Sequence, residues 1–114
     1  MTAIRRGEVW VADLGPTRGR EQSAERPVLI VSPDPINEGP AGLVVAVPFT
    51  TRKRSIPTHV EVRPPDGGLR EVSFAMCEQV RSLSVERLGP RPFGSVPAIV
   101  LESVANRLRL LLVL

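Results

Sequence analysis

The stretch Arg6-Gly-Glu-Val-Trp-Val-Ala-Asp-Leu-Gly-Pro-Thr-Arg-Gly-Arg-Glu-Gln-Ser-Ala-Glu-Arg-Pro-Val-Leu-Ile-Val-Ser32 decides how this chain folds. Two apolar runs of strand character flank a polar loop. In Glu8–Leu14, Val9 and Val11 alternate against Glu8 and Trp10, the period-two pattern of a half-buried strand. Pro27–Ser32 is a short, β-branched-rich run of the buried-strand type. The connecting segment carries Thr17, Arg18, Arg20, Glu21, Gln22 and Arg26. Such side chains grip phosphate and handle protons.

Moving outward, Leu43–Phe49 reads as another buried strand, and Thr58–Arg63 sets Val60 and Val62 against His59, Glu61 and Arg63. Ser73–Leu83 reads as a fifth strand, long and bent. Gly15-Pro16, Gly39-Pro40 and Pro64-Pro65-Asp66-Gly67-Gly68 supply the turns between them. The period then changes. Leu101, Val104, Ala105, Leu108 and Leu112 fall on one helical face, with Ser95 as the expected N-cap and Pro97 in the first turn. A shorter helical turn is expected near Val85–Leu88. The fold class is therefore mainly β with α (α+β): about five antiparallel strands, strongly curved into a barrel-like sheet and closed by a C-terminal helix.

The 114 residues suit one domain spanning 1–114. Cys77 is the only cysteine, which excludes an internal disulfide framework and fits a reducing cytoplasm. No apolar signal core follows Arg5 and Arg6, and Leu110–Leu114 is too short to span a bilayer. Basic residues number 15 against 12 acidic, and all of the basic ones except Lys53 are arginine. They cluster in loops, Arg18, Arg20 and Arg26 in one and Arg52, Lys53 and Arg54 in another. That pattern favours a polyanionic partner, nucleic acid before membrane.

The inventory removes several chemistries. With one histidine, one cysteine and no tyrosine, paired-histidine nucleases and His/Cys metal clusters are excluded. The scattered carboxylates do not suit a two-metal nuclease, and no glycine-rich phosphate cradle precedes a helix. Arginine, hydroxyl and carboxylate groups remain. They suffice for cleavage of RNA by its own 2′-hydroxyl, where the substrate supplies the nucleophile and the protein supplies proton transfer and charge stabilisation.

At this point Gly7–Gln22 and Arg26-Pro-Val-Leu-Ile-Val-Ser32, followed by Val47-Pro-Phe-Thr-Thr51, Pro57-Thr-His-Val-Glu-Val62, Cys77-Glu-Gln-Val-Arg-Ser-Leu83 and Glu86-Arg-Leu-Gly89, resemble the MazF/PemK family of toxin endoribonucleases. The resemblance runs through nearly the whole chain in order. It implies an SH3-like barrel of the CcdB/MazF/PemK type, acting as a cytoplasmic homodimer. It implies metal-independent, cofactor-free cleavage of single-stranded RNA at short motifs, leaving 2′,3′-cyclic phosphate and 5′-hydroxyl ends. The implied partner is a MazE-like antitoxin with an acidic, disordered tail, and DNA is met only through that antitoxin.

The resemblance also assigns roles. Arg26 matches the essential arginine and Thr50 the essential threonine; Thr17, Arg18, Arg20 and Gln22 hold RNA, and Glu21 lies beside the reacting phosphate. Guanidinium resists deprotonation, so Arg26 is read first as phosphate clamp, a proton-donor role staying open, with Glu21 as the runner-up proton acceptor. Ser73, Glu78 and Gln79 match groove positions and serve either RNA or sheet packing. Arg52, Lys53 and Arg54 either follow the RNA backbone or form a solvated loop. His59 is expected to be an ordinary surface or interface residue, Trp10 to pack, and Arg81 to pair with a carboxylate. Two residues depart from the pattern: Val72, where many relatives carry Asp, and Glu25, placed to pair with Arg26. The rivals are a CcdB-like gyrase poison, disfavoured by the Leu111-Leu-Val-Leu114 ending, and a non-catalytic nucleic-acid-binding barrel, disfavoured by scarce aromatics.

Overall fold

The computed structural model, which describes residues 3–15 and 25–114, turns these runs into a curled antiparallel sheet with one long C-terminal helix. Strand β1 (Glu8–Asp13) pairs with β2 (Glu25–Ile30), setting Val9 opposite Leu29 and Ala12 opposite Arg26. On its other side β2 pairs with β3 (Leu43–Thr50), Val28 opposite Pro48. The far edge is built by β4 (His59–Val62) on β5 (Ser73–Met76). Leu43–Ala46 of β3 pair with β6 (Arg81–Ser84), whereas Phe49 and Thr50 pair with β5. Pro48 falls where β3 passes from one partner to the other. A residue without an N–H is tolerated at such a break in the ladder.

Both faces of the sheet are covered. Val9, Leu29, Val47, Phe49, Val60, Val62 and Ala75 form one core, closed by Val104 of helix α2 (Ala98–Leu112) with Val100, Leu101 and Leu108 packed against it. Trp10, Ala12, Val28, Ile30, Val44, Ala46 and Leu83 form the other, under Ile4, Leu14, Val85 and Leu88. Consecutive side chains of a strand point to opposite faces, so Val9 and Trp10 serve different cores. Strand β1 is thus buried on both faces, where the alternation suggested one. Trp10 packs as expected, its indole N–H donating to Glu8 Oε1 at 3.1 Å. Each such side chain contributes about 1.5–3 kcal/mol when fully buried.

Three expectations are corrected. The fifth strand is two: β5 ends at Met76, residues Cys77–Gln79 make one 3₁₀ turn, and β6 begins at Arg81. The turn exists because Cys77 N–H bonds to the Thr58 carbonyl and Val80 N–H folds back onto the Cys77 carbonyl. With a two-residue β7 (Gly94–Ser95) on β1, the sheet has seven strands among the described residues. Ser95 is therefore in a strand opposite Glu8 and does not cap the helix; Pro97 is the N-cap, in extended conformation and without a side-chain cap bond. Leu112 lies on the expected helical stripe but is 57% exposed, so the packed face ends at Leu108. The turn near Val85–Leu88 does form, over Val85–Arg87, with the Ser84 hydroxyl accepting the Glu86 N–H. The structure adds a short helix α1 (Asp34–Asn37), whose buried Asn37 donates to the Ser32 and Ile4 carbonyls. Cys77 is fully buried, and burial pushes its thiol up to about 11 against a smaller opposing pull from Arg107. It stays protonated near neutrality and is no nucleophile there.

Candidate active site

Arg26 and Thr50 meet through strand register. Val28 stands opposite Pro48 in an antiparallel ladder. One same-face step further along each strand brings Arg26 and Thr50 to facing positions. Pro27 between them needs no ladder partner toward β3, because that pairing begins at Val28. On the other side Thr50 lies opposite Phe74, and His59 opposite Met76. The alternation therefore gathers Arg26, Thr50, Met76 and His59 on one face, which is the face turned away from α2.

There they line a depression of about 650 Å³ together with Thr51, Arg52, Arg54, Ile56, Glu78 and Gln79. The Thr50 hydroxyl oxygen accepts the Arg52 N–H at 3.2 Å, which fixes the oxygen and leaves its proton available as a donor. Glu78 is held on both oxygens: the Thr58 hydroxyl donates to Oε1 at 2.7 Å, and His59 Nε2 lies 3.0 Å from Oε2. Burial pushes the Glu78 carboxyl up, but the hydrogen bonds from Thr58, its own backbone and His59 outweigh it and hold it below the usual glutamate value. A carboxylate of lowered affinity for protons is a poor general base at neutral pH.

His59 overturns its surface reading. Its side chain is only 3% exposed, and among the described residues Nδ1 is buried with no hydrogen-bond partner. A carboxylate only accepts, so the proton between the two groups belongs to His59 Nε2. Alternation had marked the polar face of β4 correctly. What covers that face comes from the 3₁₀ turn after β5, which the sequence hides inside one apparent strand. Thr51, Ile56 and Met76 are the other lining residues missed, and no local signal distinguishes them.

The remaining candidates are dispersed. Arg52, Lys53 and Arg54 are exposed, and Lys53 does not line the depression. Ser73 is buried, donates to the Glu71 carbonyl at 3.0 Å, and borders a neighbouring depression with Pro27, Thr51 and Phe93. Among the described residues, Arg81 donates to the Leu14 carbonyl at 3.2 Å and not to the expected carboxylate. Glu25 faces a separate depression with Asp13 and Arg87, away from that of Arg26, as neighbours on one strand must. Thr17, Arg18, Arg20, Glu21 and Gln22 lie outside the described residues. Among the described residues, no three His, Cys, Asp or Glu side chains are grouped to hold a metal ion, and no helix is long and apolar enough to cross a membrane.

Comparison with known proteins gives consistent matches. The family of PemK-like, MazF-like toxins of type II toxin–antitoxin systems matches residues 5–112. The crystal structure of MazF from Deinococcus radiodurans is similar at 29% identity and a TM-score of 0.82, each chain covered over 100% of its length. MazE–MazF from the same organism (Form-II) matches at 29% identity and 0.83, covering 100% of this chain and 99% of that one. An endoribonuclease in complex with its cognate antitoxin from a mycobacterial species matches at 30% identity and 0.79, over 98% and 97% of the two chains.

Proposed function

The chain belongs to the PemK-like, MazF-like toxins of type II toxin–antitoxin systems, a family known for endoribonucleases, and we propose that it cuts single-stranded RNA, without a metal ion, through the RNA's own 2′-hydroxyl. The observation that carries this reading is the convergence of Arg26 and Thr50 on one arginine-lined depression. Arginine suits a phosphate because its planar fork grips two oxygens at once. The 2′-oxygen attacks phosphorus and the P–O5′ bond breaks, giving a 2′,3′-cyclic phosphate and a 5′-hydroxyl. Arg26 clamps the phosphate and hydrogen-bonds the leaving oxygen, which takes its proton from solvent water as the bond breaks. Thr50 donates its hydroxyl hydrogen bond to a phosphorane oxygen, and Glu21 accepts the 2′-proton. Thr17, Arg18, Arg20 and Gln22 hold the flanking RNA, with Arg52 and Lys53 along the backbone and Ser73 and Gln79 at its margins.

Such an activity needs restraint in the cytoplasm, which is where we assign it. The partner we assign is a MazE-like antitoxin whose acidic tail meets Arg26, Arg52 and Arg54; solved relatives include complexes with antitoxins. DNA is reached only through that antitoxin. Incubating a long single-stranded RNA with the protein in EDTA is expected to give discrete fragments, every new 5′ end a hydroxyl. A folded sample that leaves the RNA intact in EDTA overturns the reading.

The toxin is assigned as a homodimer. The end of α2 leaves Leu110 at 79%, Val113 at 89% and Leu114 at 85% exposure, and apolar surface of this kind gains from burial against a second copy. Sedimentation equilibrium is expected to return twice the chain mass at micromolar concentration. A monomer throughout that range removes the dimer and leaves the chemistry standing.

A further inference from the structure

Among the described residues, the depression that holds Arg26, Arg52 and Arg54 also holds one carboxylate, Glu78. For a site that receives a polyanion this is a cost, since like charge repels phosphate. Among the described residues its hydrogen-bond partners are Thr58, His59 and its own backbone N–H, none of them an arginine. One side-chain donor sits on each oxygen, beside the bond from its own backbone. A carboxylate has about four acceptor positions, so capacity remains for a further N–H. The support is rigid: His59 is almost wholly buried, and its contact to Glu78 spans β4 and the turn after β5. Glu78 itself remains about one-third exposed. The arrangement is an immobilised, acceptor-only group beside the residues that meet phosphate.

Resting on the ribonuclease reading above, we propose that Glu78, set by Thr58 and His59, reads a base next to the cut by accepting hydrogen bonds from its amino group. Adenine, cytosine and guanine carry exocyclic amino donors. Uracil does not, and it turns carbonyl oxygens toward an acceptor on both sides of N3–H. Carboxylates read cytosine N4 in the same way at nucleic-acid interfaces. The protein therefore excludes uracil at one position of its target motif.

The test uses the full chain and a short RNA carrying a mapped cut site. At each position flanking the cut, the base is replaced in turn by uracil and by an analogue without its amino group: inosine for guanosine, purine riboside for adenosine, pyrimidin-2-one riboside for cytidine. At one position both replacements are expected to lower kcat/KM by about tenfold to a hundredfold. In Glu78→Ala that discrimination is expected to fall to near unity at the same position only. The inference is overturned if the wild type accepts uracil and the analogues equally at every flanking position. It is also overturned if Glu78→Ala, cleanly folded, retains the full discrimination. Should the variant cut no RNA, the wild-type series decides. A wild type that cuts no RNA at all removes the ribonuclease reading instead.

Discussion

Replacing Arg26 by lysine is expected to slow RNA cleavage by about a hundredfold to a thousandfold, the range seen when one preorganised donor to a developing oxyanion is lost. The charge survives in this variant; the planar, bidentate geometry does not. Lysine offers a compact point charge on a flexible stem. If Arg26 served only to raise the local potential, the variant would keep most of its activity. As a clamp that must hold two phosphate oxygens in line, it does not. The change has little to disturb in the fold: Arg26 is exposed near the start of β2, ahead of the residues that pair with β3. Exposed substitutions away from special features stay within about 0.5 kcal/mol, so the melting temperature is expected to hold within a few degrees. Near-normal cleavage of the mapped RNA by Arg26→Lys would sink the clamp assignment.

The same residues show why some of this site was legible in the sequence and some was not. Period-two alternation is local, so β1, β2, β3 and β4 could be read from runs such as Val9/Val11 and Val60/Val62. Register then carries Arg26 and Thr50 to facing positions, because two antiparallel strands with one known pair determine all the others. The break between β5 and β6 was not legible. Nothing in Ser73–Leu83 marks a turn; the turn comes from a backbone bond between Cys77 and Thr58, some twenty residues apart in sequence. That contact also brings Glu78 over His59. A histidine on a polar strand face reads as solvent-exposed until the element that covers it is known. The Ser95 cap fails for a similar reason. Serine before a helical pattern is a good local signal, but Gly94 and Ser95 are drawn into pairing with Val9 and Glu8, and the helix starts after Pro97. Tertiary pairing overrides local propensity at the places where the chain must close its sheet.

Closure of the sheet at β7 depends on one glycine, and its replacement is expected to be the most damaging single change to the fold. Gly68 has a φ of +70°, in the left-handed region that side chains disfavour. A Cβ there would lie 2.2 Å from the Phe93 carbonyl oxygen and 2.6 Å from its carbon, both backbone atoms that cannot rotate aside. Phe93 is itself tied to β1, its N–H donating to the Val9 carbonyl at 2.8 Å. The approach is reciprocal, since a Cβ on Gly94 would meet Gly68 N at 2.9 Å. To admit even a methyl group, the Phe93–Ser95 segment must leave β1 or the 66–68 turn must unwind. Backbone strain and overpacking each cost about 1–3 kcal/mol, so Gly68→Ala is expected to lose roughly 3–5 kcal/mol. For a chain of this size that lowers the melting temperature by roughly 15 °C or more. Gly42 provides the control. Its φ of +66° is nearly the same, but nothing lies within 4 Å of the position of an added Cβ. Gly42→Ala carries the conformational cost alone, about 1 kcal/mol. Thermal melts followed by circular dichroism separate the two contributions. Equal shifts for the two variants would mean that the close approach of Gly68 to Phe93 contributes nothing, and that β7 is not what the glycine protects.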